Sequence, residues 1–389
     1  MVSYDISELR KFVAPEFVFG ANAAMLTGQY AANLSIKKAL VVSGPVLDKL
    51  GCPGKIIDNL KEEGVDSVLY TDVTANPRDH EVMAGAEIYR KEGCDAIVAV
   101  GGGSPMDCAK AIGVVCTNDR HVLEFEGVDH VERPGPPLIC IPTTAGTAAD
   151  ISQFCIINDT DRKVKIAIVS KTMIPDVALI DPMLTMTMGK ALTAHTGLDA
   201  LTHATEAFVS NASSAITDLN ALEAVRLVKK NLIQAIENPN NVEARTGMML
   251  ASTYAGLAFS NAILGAVHAM AHSLGGLLDL PHGLCNAILL DHVVDYNFDA
   301  VPDKYRQLGN ALGASIPANA PIDEIRGGVL ETIRDLKQAA NVHDNLCKMG
   351  MSMDDLPLLA RNALADACML TNPKQPSSDE VMAIYEEAC

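Results

Sequence analysis

The sequence contains no tryptophan, and aromatic side chains make up only 4% of its 389 residues. Its core must therefore be built mainly from Ala, Val, Ile, Leu and Met, which dominate the 49% of the chain that is hydrophobic. Charged residues account for 20%, a share that indicates a compact globular protein rather than a disordered one. A chain of this length is too long for one ordinary core, so we expect about two domains.

Basic residues are also scarce. The chain carries 30 Lys and Arg against 48 Asp and Glu, which gives a formal net charge of −18 at pH 7. Nucleic acids and anionic membranes are bound by positively charged surfaces, so we expect neither as a partner. A phosphate-bearing ligand would have to be held by backbone dipoles and a few placed cations.

Long apolar runs and disulfide-like cysteine patterns are absent as well. No uninterrupted apolar stretch approaches the ~18 residues of a membrane span. The first residues show no basic segment followed by an apolar run, so we expect no signal peptide. The 10 cysteines include no CxxC pair. Such cysteines are typical of reduced, buried thiols, and we expect a cytoplasmic protein.

Predicted strands alternate with predicted helices through the first half of the chain. Short apolar runs bounded by glycine or polar residues predict the strands, and amphipathic runs predict the helices between them. This alternation indicates an α/β domain over residues 1–182, with a parallel sheet covered by helices on both faces. The strands are predicted at 37–44, 65–73, 94–104 and 137–146 and within 161–182, and the helices at 53–64 and 78–93.

After Pro182 the strand-like segments nearly vanish, and apolar residues recur at helical spacing. We therefore predict an all-α domain over residues 183–389. We expect the two domains to pack closely around a cleft, because ligands commonly bind between domains.

A glycine-rich turn follows the predicted strand at 94–104. Glycines let the backbone approach an anion closely, and the N–H groups at a helix start can bind a pyrophosphate. Pro105 suits the first turn of the following helix, and Asp107 suits its positive N-terminal end. The pattern is not GxGxxG, so a tight turn without a ligand is the alternative. The turn consists of Gly101, Gly102, Gly103 and Ser104.

Threonine hydroxyls follow the next predicted strand, at Thr143, Thr144 and Thr147. They suit a phosphate or a ribose at the end of a strand, and a plain polar loop is the alternative interpretation.

Five side chains in the predicted helical domain suit a divalent transition metal. Asp199 and His203 are four residues apart, as are His268 and His272, and this spacing puts each pair on one helix face. His282 follows between a proline and a glycine. One carboxylate with several imidazoles is a typical nitrogen and oxygen ligand set. Core histidines with hydrogen-bond partners are the alternative, and the residues leave open which four of the five would bind.

Four motifs together resemble the iron-containing (group III) alcohol dehydrogenase family. They are GGGSPMD, IPTTAGTAAD, TGLDALTHA, and GAVHAMAHSLGG followed by PHG, and the resemblance extends from about residue 15 to the C-terminus. It implies a Rossmann-like N-terminal domain, a helical C-terminal domain, NAD(P) and a divalent metal. Fe(II) is the expected ion, and zinc accepts the same ligands. The resemblance also implies a homo-oligomer.

The resemblance assigns roles to individual residues. It implies metal binding by Asp199, His203, His268 and His282, whereas His272 lies near the substrate and nicotinamide. There His272 is the candidate proton relay, directly or through a ribose hydroxyl, with packing as the alternative role. The glycine turn and the threonines resemble cofactor contacts, as do Lys165 and Asn76. Phe259 and Cys368 fall where members of the family line the substrate pocket.

Two positions depart from the family pattern. Many NAD-specific members carry a carboxylate after the first strand, which accepts hydrogen bonds from the adenosine ribose and repels a 2′-phosphate. This chain has Gly44 there, so NAD is expected to work and NADP remains open. His195 stands where the family has a small residue. Its side chain either contacts the metal ligands or the substrate, or only alters the local packing. Gly197 could break the helix that carries it.

The resemblance implies a metal-dependent NAD(P)-linked alcohol dehydrogenase or aldehyde reductase. The expected partner is a small primary alcohol, diol or aldehyde, including an anionic one. A polyol-phosphate dehydrogenase or lyase on the same scaffold is one alternative, although the helical motifs contain no basic cluster for a phosphate. A catalytically weak regulatory relative is the other.

Overall fold

The computed structural model describes residues 11–389. They form two compact units. One consists of residues 14–187, and the other of residues 188–389 together with residues 11–13.

The first unit is an α/β domain, as predicted. Alternating strands and helices build it, although β1 and the first two helices were not anticipated from the sequence. Its strands and helices are β1 (Glu16–Phe19), α1 (Thr27–Asn33), β2 (Lys38–Ser43), α2 (Pro45–Lys49), α3 (Cys52–Glu62), β3 (Asp66–Tyr70), α4 (Asp79–Glu92), β4 (Ala96–Gly101), α5 (Gly103–Asn118), β5 (Gly127–Val128), β6 (Leu138–Pro142), β7 (Phe154–Asp159), β8 (Val164–Val169) and β9 (Val177–Ile180).

Six of these strands form one sheet in the order β1-β9-β6-β4-β2-β3, and every neighbouring pair is parallel. Successive residues of the central strands enter two different cores. Leu40 and Val42 pack in the core that contains residues of α4 and α5, whereas Val41 packs in the core that contains residues of α1 and α3. The sheet is therefore buried on both faces, which explains the nearly continuous apolar runs of its strands.

A second sheet was not predicted. It has three strands in the order β5-β8-β7, with β7 and β8 antiparallel. The predicted strand region at 161–182 is thus divided between the two sheets, because β8 pairs with β7 and β9 pairs with β6. Periodicity within one segment carries no information about the strand with which it pairs.

The second unit is all-α, and residues 188–389 contain no strand. Helices α6, α7 and α8 pack against one another, and α9 and α10 pack together beside α13. Its helices are α6 (Lys190–Val209), α7 (Ala215–Glu237), α8 (Val242–Ala262), α9 (Ala266–Leu278), α10 (His282–Asn297), α11 (Pro302–Leu312), α12 (Ile322–Ala339), α13 (Leu356–Ala365) and α14 (Ser378–Glu387).

Among residues 11–389, no single helix has both the length and the apolar composition of a membrane span. Helices α8 and α9 meet those criteria only as a pair, and the pair is bent by 98°.

Cys347 and Cys389 form a disulfide, so the expectation that all cysteines are reduced thiols is wrong for this pair. The two residues are separated by 42 positions, and their Cα atoms lie 5.0 Å apart. The segment after α12 meets the chain end here, where Leu346 N–H donates to the carbonyl of Ala388. Only folding creates this proximity, which is why cysteine spacing could not reveal it. The other eight cysteines are free thiols, six of them buried.

Candidate functional site

Several predicted cofactor residues follow strands at the carboxyl edge of the six-stranded sheet. The chain runs from β2 outward to β3 and then returns to place β4 on the other side of β2. In open parallel sheets this reversal of strand order leaves a crevice at the carboxyl ends, where ligands bind. Gly44 follows β2, and the glycine turn follows β4. Thr143 follows β6, and its N–H donates to the carbonyl of Gly101.

The glycine turn packs directly against two of the predicted threonines. A Cβ atom at Gly102 would lie 3.1 Å from the side chain of Thr144, and one at Gly103 would lie 3.1 Å from that of Thr147. Gly101 has a φ of +157°, and a Cβ there would lie 2.6 Å from Pro105. The three glycines therefore bring backbone and threonine hydroxyls together at one place, as a phosphate-binding turn requires.

Helix α5 begins at Gly103, and its N-cap residue Gly102 provides no side-chain hydrogen bond to the helix start. The placement of Asp107 at the positive end of this helix is wrong, because the first turn contains no acidic residue. Asp107 is the fifth helical residue and is partly buried, and its carboxylate accepts the Ile156 N–H. Burial raises the pKa of Asp107 to about 7, against the lowering effects of Lys110, the Ile156 N–H and Lys165.

The structure brings Lys165 and Asn76 together although 89 residues separate them. The Nζ atom of Lys165 donates to Oδ1 of Asn76 over 2.7 Å. The charge of Lys165 also lowers the pKa of Asp107, another predicted cofactor residue.

Gly44 has room for a side chain. A Cβ atom there would lie 3.8 Å from the Val73 carbonyl oxygen and 3.9 Å from Pro105, both ordinary contacts. Its φ of −102° is open to any residue. Geometry therefore does not require glycine at this position. Because the carboxylate expected of NAD-specific enzymes is missing here, space remains beside the glycine turn.

In the helical unit, three helices carry the predicted metal ligands. Asp199 and His203 lie on α6, His268 lies on α9, and His282 is the first residue of α10. All except His282 are buried, and the side chain of His282 is 24% exposed. Helix α6 is continuous, so Gly197 does not break it. A Cβ atom at Gly197 would lie 2.3 Å from Leu232, and the glycine instead permits close packing of α7.

The ligand atoms of three of these residues converge. Oδ1 of Asp199 lies 3.7 Å from Nε2 of His268 and 3.8 Å from Nε2 of His282. Together with His268 and His282, Asp199 forms a group whose ligand atoms all lie within 4.8 Å of one another. His203 lies beside this group. Its ring stacks on that of His268 at 4.4 Å, and its Nδ1 lies 4.0 Å from Asp199.

Asn286 shows that this group suits a cation. Its Nδ2 lies 2.6 Å from Oδ1 of Asp199, 3.0 Å from Nε2 of His268 and 3.2 Å from Nε2 of His282. An amide nitrogen carries two protons, too few to donate to all three ligand atoms. Within residues 11–389, its buried Oδ1 accepts no hydrogen bond. A divalent ion would satisfy all three ligand atoms at once, which the amide cannot do.

The charges of the group are coupled. Burial alone would raise the pKa of Asp199, but His203, His268 and His282 hold it well below the ordinary range. Burial alone would lower the pKa of His268, but Glu206 and Asp199 raise it to about 9. A cation bound in this group would likewise stabilise the ionised form of the buried carboxylate.

Glu206 is a site residue that the sequence reasoning missed. Its Oε2 lies 2.5 Å from Nδ1 of His268, and its Oε1 accepts the N–H of Val267 over 2.6 Å. A carboxylate on the second nitrogen of a ligand histidine fixes the tautomer and the ring orientation. A signal was present, because Asp199, His203 and Glu206 follow the i, i+4, i+7 spacing of one helix face.

His272 forms a hydrogen bond with a carboxylate that is not among the predicted metal ligands. Its Nδ1 lies 2.9 Å from Oδ2 of Asp366, a residue that the sequence reasoning also missed. Cys368 lies against the same carboxylate, and its backbone N–H donates to Oδ1 of Asp366 over 2.8 Å. Burial alone would raise the pKa of Asp366, but His272 and the hydrogen bonds from Cys368 hold it below the ordinary range.

The remaining predicted pocket residues lie in different surroundings. Phe259 is buried, and its ring stacks on that of His203 at 4.4 Å. His195 meets the start of α10 through its backbone, because a Cβ atom at Gly283 would lie 2.7 Å from its carbonyl oxygen. Burial lowers the pKa of the His195 ring, against an opposing effect of Asp344.

Nearly the whole chain matches known proteins of one family. Residues 14–182 match the family model described as iron-containing alcohol dehydrogenase, and residues 193–389 match the C-terminal model of the Fe-containing alcohol dehydrogenase family. The 1,3-propanediol dehydrogenase of Klebsiella pneumoniae is 40% identical over 372 residues, which span 95% of this chain and 96% of that protein.

Two further similarities support the same grouping. Alcohol dehydrogenase 4 of Saccharomyces cerevisiae is 39% identical over 378 residues, 97% of each chain. The crystal structure of a 1,3-propanediol oxidoreductase superposes with a TM-score of 0.95 at 39% identity and covers 98% of this chain and 100% of that one.

Proposed function

The chain belongs to the iron-containing alcohol dehydrogenase family, and on that premise we propose that it is a metal-dependent NAD(P)-linked alcohol dehydrogenase and aldehyde reductase. That it is an oxidoreductase acting on alcohols or aldehydes follows from its relatives. Under the proposal its substrate is a small primary alcohol, diol or aldehyde. One observation carries the metal dependence: three ligand atoms converge on the amide nitrogen of Asn286, which cannot satisfy them all.

In this proposal the helical unit holds the metal through Asp199, His203, His268 and His282. We propose Fe(II) as the ion, with zinc as the competing occupant of the same nitrogen and oxygen ligands. The α/β unit holds the dinucleotide at the glycine turn and the threonines beside it. When bound, the metal supplies a Lewis acid at the substrate oxygen, and the dinucleotide supplies or accepts the hydride.

The chain's own residues prepare both sites. Glu206 holds the ring of His268 so that its Nε2 faces Asp199. The start of α5, with no side chain at its cap, offers N–H groups to a pyrophosphate. Phe259 covers the ring of His203 and keeps an apolar wall beside it. A water-poor site of this kind strengthens every electrostatic interaction within it.

His272 is the residue that we propose for proton transfer. Its ring stacks on that of His282 at 5.2 Å and meets that of His268 edge-on at 6.1 Å, so it lies beside the metal ligands. Alcohol oxidation releases a proton from the hydroxyl group, and aldehyde reduction requires one. An imidazole is suited to this exchange near neutral pH.

We propose that the enzyme accepts NADP as well as NAD. The support is Gly44, which places no carboxylate against a ribose 2′-phosphate and leaves space for a side chain. Without that repulsion the two dinucleotides differ little at this position.

The decisive experiment is a kinetic panel on the metal-loaded protein. Purified protein is loaded with Fe(II) under anaerobic conditions, or with zinc, and NADH and NADPH oxidation is followed against ethanal, 3-hydroxypropanal, lactaldehyde and an anionic aldehyde. We expect turnover of at least one aldehyde that chelator abolishes and metal restores. Bound metal without any turnover would overturn the proposal in favour of a regulatory relative.

A further inference from the structure

Asp366, directly after α13, is tied to the imidazole that we propose for proton transfer. Its Oδ2 lies 2.9 Å from Nδ1 of His272, and the two side chains are 8% and 6% exposed. This is the length of a charge-assisted hydrogen bond, and solvent barely reaches it. The contact joins α9 to a chain position 94 residues later.

The carboxylate of Asp366 is itself held in place. Its Oδ1 accepts the backbone N–H of Cys368 over 2.8 Å, and the Cys368 side chain, which is fully buried, forms a further hydrogen bond to it. Each oxygen therefore has a defined partner, one from the short turn that follows α13 and one from α9. A carboxylate with both oxygens engaged cannot rotate without breaking one of these bonds.

This arrangement determines the tautomer of His272. An ionised carboxylate only accepts hydrogen bonds, so the proton of the neutral ring must lie on Nδ1. The lone pair is then on Nε2, at the other side of the ring. A neutral histidine in this form accepts a proton at Nε2, and the imidazolium that results keeps its hydrogen bond to Asp366.

We propose that Asp366 is a positioning residue for His272, which it holds in the Nδ1–H tautomer so that Nε2 exchanges the substrate proton. The inference rests on the proposed function. In alcohol oxidation the O–H bond breaks, and its proton passes to Nε2, directly or through one hydroxyl. The C–H bond also breaks, its hydrogen leaves with both bonding electrons as a hydride to the dinucleotide, and a carbonyl forms. In reduction the imidazolium returns the proton from Nε2.

Another use of the same residues makes a different prediction. His272, Asp366 and Cys368 each offer an atom that could bind a metal, and these atoms lie within 4.8 Å of one another. If Asp366 were a metal ligand, its replacement would remove metal from the protein. As a positioning residue, its replacement leaves the metal content unchanged.

The first test is the tautomer itself, read by ¹⁵N NMR of histidine-labelled full-length protein in the zinc-loaded state. The His272 signals are identified by their absence in His272→Gln. We expect a protonated Nδ1 and an unprotonated Nε2 in the neutral ring of the wild type. A protonated Nε2 would overturn the proposal, and this measurement requires no turnover.

The second test is Asp366→Asn, with Asp354→Asn, an exposed aspartate before α13, as the matched control. If the amide oxygen of the introduced asparagine keeps the Cys368 N–H, its NH₂ group faces Nδ1 of His272 and favours the opposite tautomer. We expect kcat to fall by about 100-fold or more, with the metal content and the KM for the dinucleotide unchanged. We expect Asp366→Glu to restore part of the loss, and that variant serves also if Asp366→Asn fails to fold.

The outcomes separate the two proposals. If the wild type turns over aldehydes and a folded Asp366→Asn protein keeps its kcat or loses its metal, the positioning role is wrong and the proposed function stands. If no aldehyde is turned over while His272 shows the expected tautomer, the proposed function fails and the contact is confirmed.

Discussion

Oε2 of Glu206 lies 2.5 Å from Nδ1 of His268, so a buried carboxylate holds the second nitrogen of a proposed metal ligand. The same side chain accepts the N–H of Val267 at the start of α9. It therefore ties the ring orientation to the helix that carries the ring. Such partners raise ligand basicity and are often as important for affinity as the ligands themselves.

We predict that Glu206→Gln weakens metal binding by about 10- to 100-fold. The glutamine can keep the Val267 N–H but presents an NH₂ group to His268, which favours a proton on Nε2, the atom that faces Asp199. Chelator-competition titration with zinc measures the change. Glu223→Gln, at an exposed position of α7, is the control, and equal affinities in all three proteins would contradict the prediction.

Asn286→Asp adds a second carboxylate beside Asp199, whose Oδ1 lies 2.6 Å from the present amide nitrogen. We expect it to destabilise the metal-free protein by about 3 kcal/mol, because two buried carboxylates then share the charge of His268 with no metal ion between them. A divalent metal should restore the loss. Thermal melting with chelator and with zinc measures this, against Asn310→Asp on the surface of α11. A metal-induced rise in Tm no larger than that of the wild type would refute the idea.

Gly102→Ala tests the glycine turn. The added Cβ atom would lie 3.1 Å from the side chain of Thr144, so the threonine must shift and the backbone loses its close approach to an anion. We expect the Kd for NADH to rise about tenfold, which corresponds to about 1.4 kcal/mol. Fluorescence titration gives this value. Gly54→Ala is the matched control, because a Cβ atom there meets nothing within 4 Å. An unchanged Kd would place the dinucleotide elsewhere.

Gly44→Asp tests the cofactor preference. The new carboxylate should accept hydrogen bonds from the ribose hydroxyls and repel a 2′-phosphate. We expect the ratio of kcat/KM for NADPH to that for NADH to fall at least about tenfold, a change of about 1.4 kcal/mol. Parallel assays with one aldehyde provide the ratio. A wild-type enzyme that already rejects NADPH would remove the basis for this prediction.

The disulfide between Cys347 and Cys389 closes a loop of 42 residues. By loop-closure entropy we expect it to stabilise the oxidised protein by about 4 kcal/mol. Cys389→Ser should lower the Tm of oxidised protein to that of reduced wild type and should abolish the effect of reductant. Cys52→Ser, which alters a free thiol, should do neither. If reductant left the Tm of the wild type unchanged, the disulfide would contribute nothing to stability.

Several elements could be predicted because their signals are local. The alternation of apolar runs with amphipathic segments indicated the parallel sheet, and the apolar spacing after Pro182 indicated the helical unit. The turn after β4 was visible as three glycines, and the i, i+4 pairs on α6 and α9 were visible as histidines and an aspartate at fixed spacing. In each case a few neighbouring residues suffice, because helix and strand periods act within one segment.

The sequence by itself determined the two kinds of domain, the family, and the residues from which a metal ligand set and a phosphate turn could be assembled. Only the tertiary structure decided that Asn286 lies among the ligand atoms, that Glu206 and Asp366 hold His268 and His272, and that Cys347 meets Cys389. Apart from the four-residue step between His282 and Asn286 on α10, these contacts join residues 18 to 94 positions apart. Periodicity reports which face of an element is buried, but the partner on the other side depends on how whole helices pack.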